Sequence, residues 1–91
     1  MAQGQNQFVR YTFVTEECAS DLTAVLTYMR EHDILPSVIE TEKSGSRARV
    51  VISSSGSKDW HSHAIAAQFE GRPSVQHFGF ERLSSDALRA A

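Results

Sequence analysis

FVRYTFVTEECASDLTAVLTYMREH, Phe8 to His32, changes its period partway along. From Phe8 to Thr15 it alternates. Val9, Tyr11 and Phe13 share one face and Arg10 and Thr12 the other, the pattern of a half-buried strand. From about Glu17 to His32, Leu22, Val25, Leu26 and Met29 fall at i, i+3, i+4 and i+7 and form one stripe of an amphipathic helix. Glu16, Glu17 and Asp21 sit in or near its first turn and Arg30 and His32 near its last, so both ends complement the helix dipole. Thr15 or Ser20 is the expected N-cap, depending on where the helix begins.

The remaining elements follow. Pro36 opens a second strand, about Pro36 to Lys43, and a proline at a strand start suits a sheet edge. Ser44-Gly45-Ser46 reads as a hairpin turn. Arg47 to Ser53 is a third strand, whose continuous apolar centre, Val50-Val51-Ile52, predicts an inner position. After Ser54-Ser55-Gly56, Ser57 is the expected cap of a second helix, Lys58 to about Phe69, with Asp59 in its first turn. Trp60, Ala64 and Ala67 form one helical row, and Ile65 with Phe69 an adjacent one. Gly71 and Pro73 end that helix, and Ser74 to Arg82 closes as a strand with Phe78 and Phe80 on one face.

The order is βαββαβ, the split-βαβ or ferredoxin-like signature of an α+β fold. Right-handed crossovers then give a four-stranded antiparallel sheet with both helices on one face. Strands one and three are expected in the middle, strands two and four at the edges, and a mixed polar face opposite the helices. Residues 1–7 read as a polar linker, 8–83 as the domain and 84–91 as a flexible tail. A polar linker just before a strand suggests a domain cut from a longer chain.

Composition narrows the function classes. The chain has 91 residues, which is one domain. It is 41% hydrophobic and 22% charged, with a net charge of −2 spread along its length, which argues against nucleic acid as a partner. The single cysteine, Cys18, excludes an internal disulfide and suits a reducing compartment. No apolar run reaches the roughly 20 residues of a membrane span, and Met1 to Gln7 lacks the basic and apolar regions of a signal peptide.

Several residues carry chemistry that can be weighed. His61 and His63, beside Asp59, lie two apart; on a helix that turns the rings about 200° from one another, so the expected state is a solvated surface rather than a metal pair. His32 and His77 belong to other elements, and no spacing unites the four. Cys18 at a helix start has the place of an activated thiol, but no His–acid pair accompanies it, and a small buried residue is expected. Glu40 and Glu42 share a strand face beside Lys43 and Arg47, which reads as a solvated edge. Trp60 is expected in the core or at its margin, with a partner anchor or a ligand-stacking group as the alternative.

Functions common on this fold lack their residues. Strand three, RARVVIS, carries no aromatic platform for RNA. A soft-metal carrier needs a C-x-x-C pair. A phosphate-cradling loop after strand one would not read Val14-Thr15-Glu16-Glu17. No residue is assigned a catalytic, cofactor-binding or metal role, and the chain is expected to be no enzyme.

YTFVTEE feeding L-x-x-V-L-x-x-M, then ILPSVI, RVVI and VQHFGF, together resemble an ACT-type domain. More narrowly, they resemble the C-terminal domain of the MgtC/SapB family of bacterial membrane proteins, over about Phe8 to Glu81. The resemblance implies an ACT-like module on the cytoplasmic side of the inner membrane, joined to a membrane region N-terminal to it. The family is associated with growth in low magnesium and with survival inside macrophages. On this reading the chain is a regulatory or interaction domain of a virulence protein. Its partner is another membrane protein or a second copy of itself, and it has no cofactor and no specific magnesium binding. The alternative is an ACT domain that senses an amino acid or other small molecule at a dimer interface. Such domains commonly carry a glycine in the loop after strand one, where this chain has Thr15-Glu16-Glu17-Cys18.

Overall fold

A computed structural model of the chain describes residues 7–84. In order, the elements are β1 (Gln7–Thr15), α1 (Cys18–Glu31), β2 (Leu35–Ser44), β3 (Arg47–Ser55), α2 (Asp59–Glu70) and β4 (Val75–Ser84). All neighbouring strands are antiparallel, in the order β2-β3-β1-β4. The expected ferredoxin-like architecture is therefore present, with β1 and β3 central and β2 and β4 at the edges. Of the linker and tail expected at 1–7 and 84–91, only Gln7 and Ser84 fall within the described residues, and both belong to strands.

Alternation explains which strand face is buried. Val9, Tyr11, Phe13 and Thr15 of β1 point to the helices, as do Ala48, Val50, Ile52 and Ser54 of β3. Register matches these sets: Tyr11 pairs with Ile52 and Phe13 with Val50. Val25 and Met29 of α1 and Ile65 and Phe69 of α2 complete one core, so both helices cover the same sheet face. Val51 lies between two buried neighbours but faces the open side, half-buried.

Two sharp features place glycine at positive φ. Gly45, at φ +65, leads the β2–β3 turn into open space. Gly56, at φ +93, passes so close to the 33–34 backbone that an added Cβ would lie 3.0 Å from the Asp33 carbonyl oxygen. Asp33 itself adopts φ +58, closing the α1–β2 corner.

Some expectations need correction. The buried row of α1 is Asp21, Val25 and Met29; Leu22 and Leu26 flank it, half-buried. The stripe is rotated because α1 docks on the sheet along residues four apart. The N-cap of α1 is Glu17, and neither Thr15 nor Ser20 caps it with a side-chain bond. The cap of α2 is Lys58, not Ser57; the Ser57 hydroxyl instead meets the Tyr11 hydroxyl at 3.0 Å. In α2 the buried residues are His61, Ser62, Ile65 and Phe69, which turns Trp60 outward.

Candidate functional site

At the end of the sheet where β1 stops and α1 starts, a carboxylate is enclosed. Asp21 is fully buried. Its Oδ1 accepts from Arg72 Nε at 2.7 Å. Its Oδ2 accepts from Thr15 Oγ1 at 2.5 Å and Ser74 Oγ at 2.7 Å. Thr15 Oγ1 also accepts from the Glu17 backbone N–H at 2.8 Å. Burial alone pushes the Asp21 carboxyl up, but the bonds from Thr15, Ser74 and Arg72 and the Arg72 charge outweigh it and hold the group below its ordinary value. Every oxygen has a partner, so this network is a clamp between β1, α1 and the α2–β4 loop.

The opposite end carries rings. His32, at the C-cap of α1, stacks on Tyr28 with centroids 4.2 Å apart and meets the His61 ring at 5.4 Å. Trp60 tilts over His61 at 3.9 Å and presents an edge to His32 at 5.8 Å. His61 is 5% exposed, which corrects the expectation of a solvated surface. The Lys58 backbone N–H donates to its Nδ1 at 3.0 Å, so the ring helps to close the first turn of α2. Burial, with the nearby charges of His32 and Lys58, pushes its pKa down. Trp60 is 55% exposed, which corrects the core placement. His63 diverges from His61 and packs edge-on to Phe80 instead.

Among the described residues, no group of three or more His, Cys, Asp or Glu side chains could hold a metal ion. Cys18 is half-buried and packs against the core. His77 lies in a β4 bulge at φ +56.

The most exposed of the described strands is β2. Every residue of this strand except Pro36 is exposed. Leu35 is 66% exposed, Val38 50% and Ile39 42%. Glu40 and Glu42 project on the open sheet face, in register with Val51 and Arg49. Beyond them that face holds Arg10, Thr12, Ser53 and Glu81 around a shallow depression, with Arg10 paired to Glu81 at 3.6 Å. Helices cover β1 and β3 more fully than β2, so the strand overhangs the core.

Comparison with known proteins bears on the fold. A solution structure of the C-terminal domain of the MgtC protein from Mycobacterium tuberculosis superposes with a TM-score of 0.69 at 12% identity, covering 92% of this chain and 94% of that one. The chain has the fold of the MgtC C-terminal domain. No protein-family model and no curated protein sequence matches it. Among the described residues the chain contains no helix long and apolar enough to cross a membrane.

Sequence reasoning took Asp21 only as a first-turn charge and His61 as a solvated side chain and missed the burial of both, and one signal marks it. Asp21 stands four residues before Val25 and eight before Met29; His61 stands likewise before Ile65 and Phe69. A polar residue at the head of a buried row is carried into the core with it, and there it must find partners.

Proposed function

We propose that this MgtC-like domain is a non-catalytic regulatory or interaction module on the cytoplasmic side of a bacterial inner membrane, held there by a membrane region N-terminal to this chain. It acts by protein contact through its sheet edge or open sheet face. The observation that carries the reading is the exposure of β2 along nearly its whole length. An edge strand offers unpaired backbone N–H and C=O groups that another chain can extend. Tethering raises the effective concentration of a partner in the same membrane, so a weak contact suffices. The shared fold with the MgtC C-terminal domain agrees with the family resemblance, and it is that resemblance which implies the membrane setting and the link to low magnesium and intracellular survival. The occupied Asp21 clamp weighs against a small-molecule site after β1. Magnesium is no specific ligand on this reading, since its octahedral shell wants converging carboxylates.

The test uses a host bacterium lacking the full protein. Deletion of the domain and Val38→Lys should each impair growth in low magnesium and reduce recovery of partner membrane proteins. Wild-type behaviour of both strains overturns the proposal. A saturable rise in melting temperature with a free amino acid would install the ligand-sensing alternative.

A further inference from the structure

We propose that the edge of β2 between Val38 and Ser44 takes up an extended segment of another polypeptide that carries lysine or arginine at alternate positions. This deepens the interaction reading by naming the edge and the chemistry of its occupant.

The two sheet edges are not equivalent. β4 is broken by the bulge at His77, and its regular part bears both Glu81, already paired with Arg10, and Arg82. β2 has its irregularity early, between Pro36 and Val38, and pairs regularly from Val38 to Ser44. That run contains no proline or glycine to stop an added strand.

Charge then selects the occupant. Glu40 and Glu42 stand on one face of this run, and among the described residues neither side chain has a hydrogen bond or ion pair. Arg49 lies opposite Glu42 but inward, on β3, leaving the outer side of the edge acidic. A second copy is a poor occupant. A two-fold axis perpendicular to the sheet pairs antiparallel strands with like faces together. Centred on Thr41, it sets Glu40 against Glu42 of the other copy; centred on Glu40 or Glu42, it sets that residue against itself; centred on Ile39 or Lys43, it avoids this conflict but runs the pairing into Pro36 and the irregularity beside it or into the Gly45 turn. Like charges directly opposite destabilise a strand pair. A partner strand with basic residues facing Glu40 and Glu42 removes that conflict. On the other face, an apolar residue beside Ile39 and an acidic one beside Lys43 complete the match.

The probe is the heptapeptide Thr-Glu-Lys-Val-Lys-Val-Thr, blocked at both ends and titrated into the 91-residue chain while backbone amide shifts are followed by NMR. Shifts should saturate and centre on 38–44. Replacing both peptide lysines by glutamate should weaken binding about tenfold, from two cross-strand pairs turned from attraction to repulsion. The double variant Glu40→Lys/Glu42→Lys should reverse that preference, and since both side chains are exposed its spectrum should otherwise stay native. Saturable binding elsewhere on the sheet, unchanged preference in the double variant, or no shift at all overturns the assignment. So does a concentration-dependent dimer whose contacts map to β2. Failure here, with the Val38→Lys phenotype intact, would leave the interaction reading standing and reject only the basic strand.

Discussion

Arg72 Nε reaches Asp21 Oδ1 at 2.7 Å across 51 positions of chain and so ties the loop before β4 to the first turn of α1. The carboxylate is fully enclosed, while the guanidinium remains about one-third exposed. Removing the acid leaves three donors without their acceptor. Removing the cation leaves a buried charge with two hydroxyl donors. Asp21→Ala should therefore cost about 3 kcal/mol and Arg72→Met about 2, the second discounted for solvent screening. Urea unfolding of the two variants measures this, and a loss below about 0.5 kcal/mol in both would remove the clamp from the account of stability.

The same carboxylate sets the acid limb of stability. Its folded pKa lies below the unfolded one, so its contribution is complete above the unfolded value, near about 3.9, and disappears as pH falls through the lower folded value. Asp21→Asn should flatten the stability profile in that acid range. Unfolding midpoints measured stepwise below pH 5 should show the wild type falling faster than the variant.

His61 acts at milder acidity. Its pKa is pushed below the ordinary 6.5, and its Nδ1 accepts from the Lys58 N–H. Protonation turns that acceptor into a donor facing a donor, beside His32 and Lys58. The unfolded chain binds the proton more readily, so stability declines as pH falls below 6.5 and levels off below the folded pKa. His61→Gln should lose this decline while keeping a polar group near Lys58. Two-dimensional NMR of the imidazole protons tracks the titration directly, and a midpoint above the ordinary value contradicts the burial argument.

Core contributions along α1 should follow the observed row. Met29 is fully buried and Leu26 half-buried. Met29→Ala should cost about 2–5 kcal/mol and Leu26→Ala about 1 kcal/mol. Equal losses would return the helix to the register that the apolar spacing alone suggests.

Glycine at 56 is required twice over, by its φ of +93 and by its approach to the Asp33 carbonyl. Gly56→Ala should destabilise by more than about 1 kcal/mol. Gly45→Asn, at φ +65 with open space around it, should be close to neutral. Thermal unfolding of the pair separates strain from mere loss of chain freedom.

Element order, strand alternation and both central strands were readable from the sequence because period two and period 3.6 are local signals. The edge character of β2 was readable too, from Pro36 and its charged tail. Trp60 was misplaced for a physical reason: a row beginning at Trp60 and one beginning at His61 differ by a single residue around the helix, and bulk favoured the tryptophan. The sheet decided otherwise, because Ile65 and Phe69 dock on it and bring His61 with them.

Thus the chain by itself determined which segments are strands and helices and in what order they pair, since those choices depend on neighbours within a few residues. Tertiary structure alone decided which polar side chains are enclosed and what meets them. Asp21 finds Arg72 and Ser74, Tyr11 finds Ser57 and Ser62, and His61 finds His32 only after the helices have settled on the sheet. A polar group's burial is acceptable only if partners arrive from elsewhere in the chain, and that arrival is a property of packing in three dimensions.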